Sequence, residues 1–569
     1  MKEARSFQIT SGFAIPEEQF FLLVAILIGV YSGLAVVCFR LAIEWLRFVL
    51  LGSALTPSFP RVPLVPVAAG LVVAALVVLV FPAVRGSGVN QTKAALYIYD
   101  GFIAFRTVIG KFATSALAIG SGQSLGPEDP SLQIGAGIAS AMGRRLKLSR
   151  DRLRYIAPVG AAAGLAAAFN SPITAVLFVI EEVIGRWTAG VLGAVVLSAV
   201  ASVVTEQWFL GDEPLFRVPP YHLVHGAELI AYAALGLLGG GVSLVFIKAI
   251  AALRPRLRAL PPWTRYLQPA LAALVVGLIG LRFPQVMGAG YEYIDQAMHD
   301  QYGWRMLAAL CALKVVATTA SFVSGTPGGL FAPTLFIGAM LGGAVCAIER
   351  LIAPQITGPI GAYVLVGMGT LFAGSLRAPM TSVFMIVEVS GNYSIILPVM
   401  ISNTIAYFVS RRFQAHSLFD LLARQDGTEL PSMEEERESD PQSVEDAMRP
   451  ATGARLNGDE SVRSNVERLS DSTADYFLVE LGAGRWGGLS RDELMALGSS
   501  GSADEPLRSF IAAIEHPYLY PDQSIEAALR ALKGRPFVPV VHRADRRRLE
   551  GVLALDDVLR AVTGGERIG

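Results

Sequence analysis

Apolar runs recur between about Phe20 and Phe408 of this 569-residue chain, and several reach the length of a bilayer crossing: "FFLLVAILIGVYSGLAVVCF", "VPLVPVAAGLVVAALVVLVF", "AGVLGAVVLSAVASVV" and "LIAYAALGLLGGGVSLVFI" are examples. A hydrocarbon core takes roughly 20 helical residues to cross, and within it every backbone N–H and C=O must be paired inside the protein. The chain is therefore expected to be an all-α polytopic membrane protein. Other apolar stretches, "GKFATSALAIG" and "APMTSVFMIVEVS", are too short to span and rich in Gly, Pro and Ala, as expected of broken or re-entrant helices enclosed by their neighbours. With 53% hydrophobic and only 17% charged residues, the composition excludes an ordinary soluble domain.

Formal net charge is zero, so the totals give no case for a nucleic-acid partner. The basic residues are unevenly placed. "MGRRLKLSRDRLRY" holds Arg144, Arg145, Lys147, Arg150, Arg152 and Arg154, and the positive-inside tendency puts this loop on the cytoplasmic side. Cys38, Cys311 and Cys346 lie in apolar runs without metal-ligand spacing and are expected to be three buried thiols. The polar N-terminal segment "MKEARSFQITSGFAIPEEQ" lacks a signal-peptide layout.

After about Leu422 the character changes. The acidic stretch "RQDGTELPSMEEERESDPQ" reads as a linker over 423–440. Beyond it, "SVEDAM" and "YFLVELGAGRWGGLSRDELMAL" are echoed by "SIEAALRAL" and "RPFVPVVHRADRRRLEGVLALDDVLRAV", which gives two small α+β repeats near 441–500 and 505–565.

The membrane region contains a second duplication. "GPEDPSLQIGAGI" (126–138) lies over "GLFAPTLFIGAML" (329–341), and "SPITAVLFVIEE" (171–182) lies over "APMTSVFMIVEV" (378–389). Pro130 meets Pro333, Pro172 meets Pro379, Thr174 meets Thr381 and Glu181 meets Glu388. Glu128 falls on Phe331, and Glu182 falls on Val389. The six-cation loop after the first block has a counterpart, "CAIERLIAPQITGPIG", with Arg350 alone. The halves, about 20–210 and 226–422, are thus expected to face opposite sides of the membrane as an inverted repeat.

A proline after a Gly-containing turn suits a helix start, so helices are expected to begin at Pro130 and Pro333, in mid-membrane. A helix start presents unpaired N–H groups and about half a positive charge, which together favour an anion. One helix end contributes only about 0.3–2 kcal/mol, so several donors must converge to hold a buried ion. "RGSGVNQT" offers another set: Ser87 has a hydroxyl, flanked by two glycines that let the backbone approach closely. Glu128 is a functional candidate because it is ionisable within a membrane region. The symmetric Glu181 and Glu388 read as caps on neighbouring backbone, whereas symmetry does not explain Glu182.

"GSGVN", "GPEDP" and "GGLFAP", in that order, with "AAFNSPITAVLFVIEE" and "RAPMTSVFMIVEVSGNYSIILP", closely resemble the CLC family of chloride channels and proton-coupled chloride transporters, and the resemblance covers residues 1–422 almost end to end. The tail resembles a pair of CBS domains. The resemblance implies an inverted-repeat bundle of tilted and broken helices with a small cytoplasmic α+β pair. It also implies a homodimer in the lipid bilayer, with one pathway per subunit and both the N-terminus and the tail cytoplasmic; a bacterial inner membrane is the expected location.

Carried over by position, Ser87 with Gly88 matches the central chloride-coordinating serine, and Glu128 matches the gating glutamate that competes with chloride and carries a proton. Leu330 and Phe331 match the residues whose backbone N–H groups coordinate chloride. Glu182 matches the internal proton-transfer glutamate, and Lys111 a buried lysine that favours anions. The central tyrosine is replaced by Phe419, which has no hydroxyl to donate. Asn90 stands where the family has proline, and Pro127 and Asp129 replace the basic residue and the glycine beside the gating glutamate.

These residues imply a chloride/proton antiporter that needs no cofactor and takes chloride and other small monovalent anions. The alternative is a voltage- or nucleotide-regulated passive chloride channel of the same fold. An intramembrane hydrolase using Glu128 and Asp129 lacks a metal-ligand pattern or a second aspartate motif. In the tail, Ser490 and Glu493 in the first repeat and Asp557 in the second are candidates for an adenine nucleotide, with Ala554 where Ser or Thr is usual; a structural, dimerising tail is the competing reading.

Overall fold

Each half of the membrane region folds into the same series of helices. A computed structural model describes residues 6–10, 13–52, 61–185, 189–212, 215–216, 225–428, 430–431, 443–450, 455–468, 476–482, 485–501, 503–511, 518–533, 535, 537–543, 545–546 and 548–562. The first half comprises α1 (Glu17–Leu51), α2 (Arg61–Ala75), α3 (Gly88–Tyr97), α4 (Phe105–Gly120), α5 (Glu128–Arg145), α6 (Arg150–Phe169), α7 (Pro172–Phe178) and α8 (Ala189–Leu210). The second repeats the order as α9 (Glu228–Arg258), α10 (Gln268–Gly280), α11 (Tyr291–Met298), α12 (Trp304–Val323), α13 (Phe331–Ile352), α14 (Ile360–Leu376), α15 (Pro379–Ser390) and α16 (Ile396–Phe413). A further helix, α17 (Leu418–Gln425), follows and runs into the stretch read as a linker, of which residues 429 and 432–440 lie outside the described residues.

Packing repeats with the order. α1 packs on α8 as α9 packs on α16, and α5 on α6 as α13 on α14. The two halves meet through α2 with α10 and α7 with α15. Small residues permit the closest of these approaches, since helices in lipid associate through van der Waals contact rather than exclusion of water. A Cβ on Gly135 would lie 2.2 Å from the Gly160 carbonyl, and one on Gly338 would lie 2.2 Å from the Gly367 carbonyl, so the same backbone contact is built twice.

Among the described residues, seven helices are long and apolar enough to cross a bilayer. The stretches read as broken are the end of α4 and the whole of α15, helices of 16 and 12 residues. Of the three cysteines expected to be buried, Cys311 and Cys346 are, but Cys38 is exposed on the outer face of α1. An apolar sequence context cannot separate a core-facing position from a lipid-facing one, because both are greasy.

The chain divides into two units, Met1–Glu435 and Glu436–Gly569. Among the described residues, the second holds two three-stranded sheets. One orders Arg455–Asn457, Tyr476–Glu480 and Trp486–Ser490; the other orders Arg449–Pro450, Leu549–Ala554 and Phe537–Val541. Arg449–Pro450 joins the later sheet, and Leu507 packs in the core of the earlier one, so each spatial half borrows a segment across the boundary read at 500–505.

Candidate functional site

Three helix starts carry the site. α5 begins at Glu128 and α13 at Phe331, two residues ahead of the prolines expected to open them. A missing N–H is harmless anywhere in the first turn, so a proline marks that turn rather than its first residue. Gly126 and Gly329 precede the two starts and pair with each other as an antiparallel bridge. α3 begins at Gly88, and Ser87 caps it by accepting from Val89 N–H at 3.2 Å.

Each of the first two residues of α5 is buried and sends a carboxylate to a different helix. Glu128 Oε2 accepts from Ala332 N–H at the start of α13 (3.2 Å), and its Oε1 accepts from the Tyr291 hydroxyl at the start of α11. Asp129 Oδ1 accepts from the N–H groups of Gly88 (2.5 Å) and Val89 (3.1 Å), while Oδ2 accepts from Ser87 Oγ (3.1 Å). Gly88 is required by this approach, because a Cβ there would lie 2.5 Å from Asp129 Oδ1.

Ser87, Gly88, Glu128, Leu330 and Phe331 are thus buried around converging helix starts. The α13 amide that meets Glu128 belongs to Ala332, one residue past the pair expected. The Phe331 ring packs against Phe178, Phe169, Phe372 and Phe419, with centroids 4.9–6.0 Å apart. The Phe419 ring is therefore part of an apolar wall, and its carbonyl accepts from Asn90 Nδ2 at 2.9 Å. A proline at position 90 would have no such donor.

Lys111 is buried, and its Nζ donates to Val84 O (3.2 Å) and Gly86 O (2.9 Å). Lys314 does the same in the second half, to Val286 O (3.0 Å) and Gly288 O (2.8 Å). Each lysine therefore holds the loop that leads into α3 or α11. The loops share the pattern Phe-Pro-x-Val-x-Gly-x-Gly, at 81–88 and 283–290. That repeat is a sequence signal that leads to Tyr291, which follows directly on the second copy.

Glu181 and Glu388 form reciprocal caps. Glu181 Oε2 accepts from Thr381 N–H (3.0 Å) and Oγ1 (2.9 Å); Glu388 accepts from Ile173 N–H (2.9 Å), Thr174 N–H (2.8 Å) and Thr174 Oγ1 (2.7 Å). Glu182 breaks this symmetry. It lies in a π-helical turn, Val179–Ile184, whereas its counterpart α15 runs as regular helix to Ser390. Such turns re-aim a side chain within a helix. Glu182 is buried and accepts from Lys93 Nζ at 2.9 Å; the same ammonium lies 3.5 Å from Asp420 Oδ1, while Asp420 Oδ2 accepts from Ser417 Oγ at 2.8 Å. Lys93, six residues after Ser87 on α3, was not singled out by the motifs.

In the tail, Ser490 and Glu493 form a capping box: Ser490 N–H donates to Glu493 Oε2 (2.7 Å) and Ser490 Oγ accepts from Glu493 N–H (3.2 Å). Asp557 is buried and accepts from Arg449 Nε (2.5 Å), Ala554 N–H (3.0 Å) and Arg560 Nη2 (2.9 Å). All three nucleotide candidates are committed to bonds within the chain.

Two like halves whose helix starts converge on buried carboxylates inside a membrane bundle define an ion-transport protein. The family described as voltage gated chloride channel matches residues 69–411. A putative chloride channel protein, ClcB-like, of Ralstonia nicotianae is 32% identical over 70% of this chain and 95% of its own length. An H(+)/Cl(-) exchange transporter, ClcA, of Vibrio campbellii is 30% identical over 73% of this chain and 91% of its own. The chain belongs to the voltage-gated chloride channel family. Among solved structures, a slow cyanobacterial Cl-/H+ antiporter matches with TM-score 0.67 at 24% identity, covering 72% of this chain and 98% of that one. A eukaryotic CLC transporter matches with TM-score 0.62 at 22% identity, covering 94% of this chain and 97% of that one, a likeness of fold that takes in the tail.

Proposed function

We propose that this protein is a chloride/proton antiporter with Glu128 as its gate and Glu182 as its internal proton carrier. The observation that carries the reading is the Glu128 carboxylate on Ala332 N–H, a side-chain anion seated where a helix start favours a halide. Deprotonated, Glu128 competes for that place; protonated, it is neutral and yields it. Binding of a proton and admission of chloride are thereby tied to one side chain. Glu182, without a counterpart in the second half, supplies a buried acceptor away from the Ser87 cradle, and Lys93 balances its charge.

Lys111 acts in this scheme by fixing the loop before Ser87, and Phe419 supplies an apolar wall in place of a donor. The chain works as a homodimer in a bacterial inner membrane with its N-terminus and tail cytoplasmic, and the tail serves structure and dimerisation rather than an adenine nucleotide. The relatives named as exchange transporters support antiport.

The test is flux in liposomes carrying a chloride gradient. An antiporter drives protons uphill, and the movement vanishes in Glu128→Gln. Passive chloride current with no proton movement would make the protein a channel of the same fold.

A further inference from the structure

Asp129 is unexplained by a gate at Glu128. Its carboxylate takes the hydroxyl of Ser87 and the first N–H groups of α3 together, three donors converging on one acidic group. Ser87 and Gly88 among them are the residues matched by position to the chloride-coordinating serine. Lys111 is buried, and its ammonium holds the loop just before Ser87. The backbone is shaped around the contact, since a Cβ on Gly88 would strike the carboxylate and one on Gly329 would lie 2.9 Å from Asp129 Cβ.

We propose that Asp129 is a second tethered anion, seated in the Ser87–Gly88–Val89 cradle, which a permeant halide must displace to bind there. The inference rests on the reading of that cradle as an anion site. Consecutive residues of α5 then guard consecutive places: Glu128 the start of α13 and Asp129 the start of α3. The two residues are not equivalent. Glu128 meets one backbone amide and one phenol, whereas Asp129 meets two amides and a hydroxyl, so the place at the start of α3 is the more fully held. Apparent halide affinity falls by the fraction of molecules in which the cradle is open. A cradle closed nine times in ten weakens binding about tenfold.

The experiment compares full-length wild type, Asp129→Ala and Asp129→Gly in detergent, with chloride titrated by calorimetry and bromide located by anomalous scattering in crystals. The expected result is chloride binding tightened about tenfold or more in Asp129→Ala, with bromide between Ser87 Oγ and the Val89 amide. Asp129→Gly serves where the alanine variant does not elute as folded protein. Unchanged affinity in a folded variant, with bromide already in the cradle of the wild type, overturns the inference and leaves the anion site standing. Bromide absent from both the cradle and the Ala332 amide in every form, Glu128→Gln included, overturns the site itself and the inference with it.

Discussion

Gly126 and Gly329 exchange their backbone hydrogen bonds: the N–H of each donates to the carbonyl of the other, at 2.9 and 2.7 Å. They occupy the same position in the two halves, so the contact is self-complementary and marks a pseudo-two-fold axis between the starts of α5 and α13. Of the two helix starts, that of α5 carries the carboxylates Glu128 and Asp129, and that of α13 offers the amide that receives one of them. A Cβ on Gly126 would lie 2.3 Å from Glu128 Oε2. Gly126→Ala is therefore expected to push Glu128 off Ala332 and to destabilise the protein by about 1–3 kcal/mol through overpacking. Thermal unfolding in detergent and the proton-to-chloride flux ratio check both effects; an unchanged ratio would show that the Ala332 contact is not what gates.

Tyr291 donates to the gating carboxylate from the start of α11. A hydrogen bond to a charged group contributes about 1.5–3 kcal/mol, so its loss favours departure of the carboxylate from the helix start. Tyr291→Phe is expected to speed chloride turnover at fixed pH by about ten- to a hundredfold, since each 1.4 kcal/mol is a factor of ten. Chloride efflux from liposomes measures this directly. Equal or slower efflux would mean that release of Glu128 does not limit the cycle.

The Glu181 and Glu388 caps tie the halves together at the starts of α15 and α7. Replacing either carboxylate by alanine leaves the donors of a buried threonine, Thr174 or Thr381, without their acceptor. Each replacement is expected to cost about 2–4 kcal/mol, with Glu388→Ala the larger because three donors lose a partner. Melting temperatures of the two variants, compared at one pH, give the order.

The parts legible in the sequence are those encoded locally or by repetition. The helix starts at 128 and 331 follow from glycine and proline within a few residues, and the reciprocal glutamates from a matched Pro-x-Thr block in each half. Contacts made across the bundle were not legible in this way. Tyr291 reaches Glu128 over 163 residues, and Lys93 reaches Glu182 over 89; the repeat at 81–88 and 283–290 marks the position of Tyr291 but not its partner, and no period announces Lys93. Asp129 stands out in the sequence only as a departure beside the gate, with nothing to show where its side chain goes. Successive residues of a helix point about 100° apart, which sends Asp129 toward α3. Cys38 was misplaced because lipid-facing and core-facing positions share a composition.

Lys93 and Glu182 form a buried pair, and breaking such a pair by removing one partner costs about 3–5 kcal/mol, because the other charge is left without compensation. Lys93→Met is expected to destabilise within that range, while Lys93→Met combined with Glu182→Val recovers most of the loss; a double-mutant cycle on thermal stability measures the coupling. Glu182→Val alone keeps Asp420 as a partner for Lys93, and should abolish uphill proton movement while chloride flux remains measurable. Proton movement that persists in Glu182→Val would remove Glu182 from the pathway.

The tail offers a pH signature that separates its structural reading from a nucleotide site. Ser490 backbone and side-chain donors hold the Glu493 carboxyl below the usual carboxylate range, as the Ser443 donors do for Asp446. A depressed folded value means that the caps contribute stability above the ordinary carboxylate range and lose it as pH falls through the lowered values. Ser490→Ala should therefore cost the tail about 0.5–2 kcal/mol near neutral pH and progressively less in acid, where Glu493 is protonated in either form. Urea unfolding of the full chain at several pH values, with the Trp486 signal taken as the fluorescence difference from Trp486→Phe, reads this out. Adding ATP should not shift the midpoint, because Ser490, Glu493 and Asp557 already spend their polar atoms within the chain; a midpoint that climbs with ATP concentration would assign the tail to nucleotide binding instead.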